Sequence, residues 1–369
     1  VQNLTLEQIS ANSARLRWDA TTDLDVKVGG RVHIRHTSVV DGTGTWANSQ
    51  DLIPAVPGYS TEAIVPMVEG EYIVKFEDSS GKQSLAEASV IVDLPDPLSA
   101  LLVIDRREDT TVPPFLGEST NLFYSAAYQA LTLGGTALFD TIPDFNLLAD
   151  LDYYGDTATT GTYVFNDILD LGAKYSLDIR RHLVGGGFYP SDLIDARTEL
   201  IDTWTNFESA VAGQANSKIC VRTTDDDPTG SPTWSNYQEF GNGTFTARAF
   251  QFKLDASMFD PAQAYACYEL GYKASFQRRI ESSIVAVQSG AGTKSITFDN
   301  PYWTGTAVLG GVNTVLPSIG ITAQNLQSGD YFNVTNVTKN GFDVTFRNSG
   351  GTAVDRLFAW SALGYGKGA

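Results

Sequence analysis

Residues 293–369 read TKSITFDNPYWTGTAVLGGVNTVLPSIGITAQNLQSGDYFNVTNVTKNGFDVTFRNSGGTAVDRLFAWSALGYGKGA. Apolar and polar residues alternate there in short runs: Ser295–Phe298, Ser318–Thr322, Tyr331–Thr335, Phe342–Phe346 and Leu357–Trp360. Alternation with a period of two puts one face of each run in a core and the other in water, the pattern of an antiparallel sheet. The breakers between the runs are Ser328-Gly329-Asp330, Asn340-Gly341 and Ser349-Gly350-Gly351. Asn-Gly between alternating runs predicts a hairpin, because both residues tolerate positive φ. The stretch is therefore expected to form a small β-sandwich of about six strands.

The order of Phe298-Asp299-Asn300-Pro301-Tyr302, Pro317–Thr322, Asn336–Phe346 and Phe358–Gly364 resembles the H-type lectins. With Gly329-Asp330-Tyr331 and the closing Gly364-Tyr365-Gly366, the same stretch also resembles the far end of the host-specificity (tip attachment, central tail fibre) proteins of long-tailed phages. The resemblance implies a six-stranded sandwich, a homotrimer, and a host-cell receptor, glycan or outer-surface protein, bound at the trimer's end. It implies other tail-tip proteins as partners and the virion tail tip as location. H-type lectins place an Arg on the middle strand and an aromatic-plus-His loop before the last strand. Here Tyr331 takes the strand position, and the loop is Asn348-Ser349-Gly350-Gly351, without Trp or His. Asp355 and Arg356 open the last strand. The family's sugar chemistry is not reproduced, so the fold is expected with a changed ligand. Tyr331, Asn348, Asp355 and Arg356 are the candidate receptor-binding residues, joined by Trp303, which follows Pro301-Tyr302 in a loop. Trp360 alternates with Phe358 and reads as core.

At 369 residues the chain is long enough for two or three domains. Its low content of charged residues (18%) and its 34 glycines fit a turn-rich, all-β protein. A net charge of −18 argues against nucleic acid, whose phosphates need Lys and Arg, and against docking on an anionic membrane. Apolar runs such as Ala100–Ile104 are far shorter than the roughly 20 residues of a spanning helix, so no membrane insertion is expected. The chain opens at Val1 directly on a strand pattern, which reads as a piece of something longer. Cys220 and Cys267 each lie in a strand-like run and are expected to be free and buried.

Residues 1–94 alternate in six runs, from Leu4–Leu6 and Ala14–Asp19 to Glu71–Asp78 and Ala88–Val92. Strands about every ten residues, with Trp18 on the second, predict an immunoglobulin-like sandwich. The order W-D, then G-x-Y-x-V-x-x-x-D-x-x-G-x-x-S, resembles fibronectin type III modules, with Trp18 and Tyr72 as core and corner residues. His33 and His36 lie three apart on one strand, so they point to opposite faces and do not share a metal. Leu94-Pro95-Asp96-Pro97 reads as a linker, and Val112–Gly117 as a loop.

Residues 98–283 carry further strand runs: Leu101–Asp105, Gly161–Phe165, Ile168–Gly172, Tyr175–Arg180, Lys218–Arg222, Ala247–Leu254 and Ala264–Leu270. The Asp170-Leu171-Gly172 run, the Arg222–Ser235 loop and the Arg248–Leu254 strand resemble a discoidin or galactose-binding jelly roll. Ser191–Ala212 reads either as a helix capped at Ser191 or as loop and strand. The fold class expected for the whole is all-β: a fibronectin type III-like sandwich over 1–94, a jelly-roll sandwich over 98–283, and an H-type-lectin-like sandwich over 293–369.

Asp225-Asp226-Asp227 is the densest carboxylate cluster; it offers oxygen ligands for Ca²⁺ or is a solvated turn. Trp234 and Tyr237 beside it suit either stacking on a sugar or plugging the sandwich end. No other cofactor and no metal site are indicated. A glycosidase needs two carboxylates at a set separation, and with 43 acidic residues some pair meets that by chance. Asp144, Asp150, Asp152 and Asp156 are loop acids without a partner pattern. There is no G-x-S-x-G elbow, the three histidines leave little for a triad, and Gly185-Gly186-Gly187 lacks the Lys-Ser/Thr of a phosphate loop. The expectation is a receptor-binding protein, not an enzyme. The rival readings are a carbohydrate-binding accessory module of a secreted bacterial enzyme and a purely structural tail-tip part.

Overall fold

The structure, a computed structural model, describes residues 1–10, 12–93, 100–108, 115–126, 128–134, 158–188, 215–258, 264–305 and 315–368. The linker expected at Leu94–Pro97, the helix or strand expected within Ser191–Ala212 and the acids Asp144, Asp150, Asp152 and Asp156 lie outside the described residues. So does the first half of the loop expected at Val112–Gly117. The chain is an all-β protein of several antiparallel sheets in sandwich-like arrangements. Among the described residues the only helix is the single turn Leu24–Lys27, capped by the Asp23 carboxylate accepting from the Asp25 amide.

In the first unit, a three-stranded sheet (Thr5–Gln8, Ser13–Arg17, Glu62–Pro66) faces a second sheet. The second is ordered Gln50–Asp51, Arg31–Thr37, Gly70–Glu77, Ala88–Val92. The alternation does what it predicts: Ala14 and Leu16 are buried, while Arg15 and Arg17 face outward and meet Glu7 and Glu62 across the ladder. Trp18 and Tyr72 are buried in this core. The Tyr72 hydroxyl donates to the Pro66 carbonyl at 2.8 Å and accepts from the Val68 amide at 2.7 Å, which ties the crossing between the sheets.

The middle of the molecule is built on unusually long strands. Runs read separately in the sequence fuse into Leu169–Phe188 (20 residues), Asn242–Met258 (17 residues) and Ala264–Ser282 (19 residues). Leu169–Phe188 lies between the other two, with a register break between Asp170 and Tyr175. Asn242–Met258 also pairs with Ala215–Thr224 along its other edge and with Thr160–Val164. Beneath lies an aromatic core in which Phe252 stacks on Tyr272, ring centroids 3.9 Å apart. Such pairs add about 0.5–1.5 kcal/mol beyond area burial. Cys220 and Cys267 are free and buried.

A three-stranded sheet and a second sheet built on Leu357–Tyr365 close the C-terminal unit around a third core. One is ordered Thr293–Thr297, Gly341–Arg347, Tyr331–Thr338. In the other, Leu357–Tyr365 lies between Ser318–Ala323 on one side and Val287–Gln288 with Arg278–Ser282 on the other. A hairpin forms here, but its turn is Lys339-Asn340, with Gly341 already on the strand opposite Thr338, and neither Asn340 nor Gly341 has positive φ; that conformation falls on Asn336 (φ 51°) at a bulge. Gly341 is needed for space instead: a Cβ there would lie 2.0 Å from the Ile296 carbonyl oxygen of the neighbouring strand.

The units meet in two different ways. Arg278–Ser282 continue the long central strand directly into the C-terminal sheet, pairing with Ser361–Tyr365. Tyr302 and Trp303, adjacent in sequence, enter different cores: Tyr302 the third, Trp303 the second. Trp303 is 5% exposed and stacks on Phe276 at 4.5 Å, so the expectation of a surface residue there is overturned. The first unit packs instead against the edge of Leu183–Gly187, which the neighbouring long strand leaves uncovered. Ser38 and Leu183 exchange bonds there, the Ser38 amide donating to the Leu183 carbonyl and the Leu183 amide to the Ser38 hydroxyl. Gln50 donates to the Gly185 carbonyl. The triple glycine belongs to this seam: a Cβ at Gly186 would lie 1.6 Å from the Ala47 carbonyl oxygen.

Candidate functional site

The C-terminal sandwich gathers three of its sequence candidates at one end. Tyr331 starts the edge strand opposite Arg347. The Asn348 side-chain oxygen accepts from the Gly350 and Thr352 amides, each at 3.0 Å, and so folds its own loop. Arg347 donates to the Gly351 carbonyl at 2.7 Å from below. Arg356 donates to Asp330 at 2.6 Å; the two side chains are only 12% and 2% exposed. The Arg356 hydrogen bond and the Gln327 amide hold the Asp330 carboxyl below its usual range. Asp355 faces another loop, accepting from Gln288 at 2.8 Å and from the Gly290 amide at 2.6 Å. These bonds likewise lower its pKa.

Charges at this end thus satisfy one another. What remains open is aromatic: Tyr331 is 44% exposed and Phe332 beside it 37%. Phe332 also packs against Phe346 at 5.5 Å. Trp303 is not part of this end; it lies by Tyr365, at the far end of the closing strand from Arg356.

In the middle unit the three aspartates diverge. Asp225 pairs with Lys174 at 2.7 Å, and Asp226 accepts from the Thr233 amide at 2.8 Å. Asp227 accepts from Thr229 and pairs with Arg248 at 2.9 Å, contacts that lower its pKa to about 2. Ligands pointing three ways do not enclose a cation. Among the described residues no group of three or more His, Cys, Asp or Glu is placed to hold a metal ion.

Trp234 and Tyr237 are half-buried. Their rings lie against the Arg222 guanidinium, at 4.9 and 4.8 Å, and Lys253 sits 4.7 Å over the Tyr237 ring. Gln251 accepts from Arg222 Nε at 2.7 Å and from the Tyr237 hydroxyl at 3.1 Å. Sequence reading found the two rings but missed Arg222, Gln251 and Lys253. Alternation sends all three to the outer face, yet only the strand register, Arg222 opposite Gln251 and Cys220 opposite Lys253, brings them under the rings.

No acid–base pair stands out for catalysis among the described residues. His33 and His182 bond to Glu77 and Glu269, and His36 to the Glu69 carbonyl. Glu108, raised by burial, bonds to the Tyr163 hydroxyl and the Asn166 amide. Among the described residues no helix is long and apolar enough to cross a membrane.

No family model matches the chain, and no curated protein matches it. Among solved structures, the crystal structure of tripeptidyl peptidase 2 aligns with 97% of this chain at 8% identity and a TM-score of 0.17. The chain spans 30% of the length of that structure, and a TM-score so low supports neither a common fold nor a common activity.

Proposed function

We propose that the protein is a non-catalytic recognition protein of a long-tailed phage tail tip, binding the host-cell surface during adsorption. The observation that carries the reading is the end of the C-terminal sandwich. There Tyr331 is exposed, with Phe332 part-exposed on the opposite face of the strand, on a scaffold whose loops are fixed by Asn348 and by the shielded Asp330–Arg356 pair. Exposed aromatics on rigid supports bind at low entropic cost. Two further features support the module names. The first unit, a three-stranded sheet facing a five-stranded one with its tied Tyr72, fits a fibronectin type III-like sandwich. The two sheets packed around one C-terminal core fit an H-type-lectin-like one. The proposed assembly is a homotrimer, which would present three tips at once and let weak single sites add.

The test is adsorption of purified protein to candidate bacteria, with mass in solution measured alongside. Cell binding by a trimer, reduced at least tenfold in Tyr331→Ala, is the expected result. A trimer that binds no cell would replace the reading with that of a structural tip component. The outer face around Trp234 and Tyr237 favours one other reading, a carbohydrate-binding accessory module. A monomer that ignores cells but retains oligosaccharides would establish that one.

A further inference from the structure

The outer face of the middle sheet carries a groove that the tip reading does not use. Its floor is formed by Thr160–Val164, Ala215–Thr224 and Asn242–Met258 side by side. At one end lies a cleft of about 380 Å³ whose lining includes Thr160, Thr162, Asn216, Lys218, Asp255 and Ser257, with Lys218 paired to Glu239 at 3.5 Å. Along the same strand pair the outer side continues past the covered Cys220 (4% exposed), opposite Lys253, to Arg222 opposite Gln251, and ends at Trp234. From Asn216 to Arg222 the strand rise gives a run of about 20 Å. That length takes a short oligosaccharide rather than a single sugar.

Arg222 gives the groove its chemistry. Its guanidinium lies against two rings and makes one side-chain hydrogen bond, from Nε to Gln251. No bond or ion pair occupies its two terminal nitrogens within the described residues. A charged fork held by rings and by Gln251 loses little freedom on meeting a carboxylate or phosphate. Lys253, by contrast, is neutralised by Asp255 at 2.7 Å and supplies no free charge. The half-exposed Trp234 ring beside the fork offers an apolar face to an adjoining sugar ring.

We propose that this groove binds an acidic oligosaccharide, with its carboxylate or phosphate on the terminal nitrogens of Arg222 and a neighbouring sugar on Trp234. The site is independent of the tip, so its failure leaves the adsorption reading standing, and the reverse. The experiment is calorimetric titration of the full chain with three probes. These are a hyaluronan tetrasaccharide (carboxylate), a glycerol phosphate oligomer (phosphate) and a neutral N-acetylglucosamine tetramer. Binding of either acidic probe at least tenfold tighter than the neutral one, weakening as NaCl rises from 50 to 500 mM, is expected, and the preferred acid names the anion. Arg222→Ala should remove that preference, Arg222→Lys should restore it only in part, and Tyr331→Ala should leave it intact. Equal affinity for the neutral probe, salt-independent binding or no binding by the unaltered protein would each overturn the proposal. The unaltered chain alone decides those outcomes, so a variant that misfolds does not leave the matter open.

Discussion

The two joints of the molecule are made of different materials. Between the middle and C-terminal units a strand simply continues, and Arg278–Ser282 keep a backbone ladder with Ser361–Tyr365. Around it the Arg279 guanidinium lies 3.9 Å over the Tyr302 ring and donates to the Asn300 carbonyl, while Trp303 fills the adjoining core. Between the first and middle units no strand is shared. That joint consists of buried polar side chains: Arg35, His36 and Gln50 from the first unit, Arg181 and Ser217 from the second. A backbone ladder tolerates most side-chain changes, whereas a buried polar joint depends on each member finding its partner. The polar joint should be altered by chemistry and the ladder joint by volume.

Trp303→Ala gives the largest effect expected. It removes a ring that stacks on Phe276 and leaves a hole beside a backbone ladder that cannot close over it. Large aromatic truncations in cores cost about 3–5 kcal/mol, readable as a fall in the urea midpoint. A loss under about 1 kcal/mol would mean that the ladder alone carries this joint.

At the polar joint two arginines should behave in opposite ways. Arg35 donates to the Trp46 carbonyl at 2.7 Å and to the Ala215 carbonyl of the second unit at 3.2 Å. Arg35→Ala strands both, at a cost of roughly 2–4 kcal/mol. Arg181 is as deeply buried, but its Nε and one terminal nitrogen have no hydrogen-bond partner. Replacing such a charge with an apolar side chain of similar volume is often neutral or stabilising, by about 1 kcal/mol or more. Arg181→Met should therefore keep or raise the urea midpoint. A large loss would show that Arg181 positions this joint in a way its hydrogen bonds do not reveal.

The joints also differ in how far the sequence disclosed them. The first unit's core was legible because each strand has one wet face: Arg15 and Arg17 outward, Ala14 and Leu16 inward. The joints have no such face. Arg35 and His36 sit on a strand buried on both sides, which alternation cannot distinguish from an exposed polar run. Trp303 was misplaced because Tyr302 and Trp303 serve separate cores, an arrangement with no period at all. The candidate tip was legible as turns between strands, and Tyr331 is exposed there; the pairing of Arg356 with Asp330 depends on folding and left no local signal. The rings at Trp234 and Tyr237 were visible, while the cation between them required the register of two strands far apart in sequence.

Acidification separates the joints further. Burial, with Arg181 next in weight and His182 after it, pushes the His36 imidazole well below its usual pKa of 6.5, against a weaker upward pull from the Glu69 carbonyl bond. Tyr72 packs edge-on against the same ring at 5.0 Å. His36 therefore stays neutral in the folded chain while the unfolded chain takes up a proton below pH 6.5. Stability contributed by this group is full above pH 6.5 and is lost as pH falls, by about 1.4 kcal/mol per unit until the folded pKa is reached. Urea midpoints at pH 7.5 and 5.5 should fall for the unaltered chain and fall less for His36→Gln. Equal slopes in the two proteins would remove His36 from the account.

The smallest effect gives the sharpest reading of which joint opens. Burial pushes the thiols of Cys220 and Cys267 up to about 12, so both should resist labelling at pH 8 in the native chain. Cys267 pairs with Gly185 at the seam where the first unit packs, and Cys220 lies on the strand whose first residue, Ala215, accepts from Arg35. Both therefore report on the polar joint, and each is remote in the sheets from the Arg278–Ser282 ladder. If opening is local, Arg35→Ala should raise their labelling rates, roughly tenfold for each 1.4 kcal/mol lost, while Trp303→Ala leaves them nearly unchanged. Equal acceleration by both substitutions would mean that the joints open together and that the long central strand transmits the loss of either one to the other.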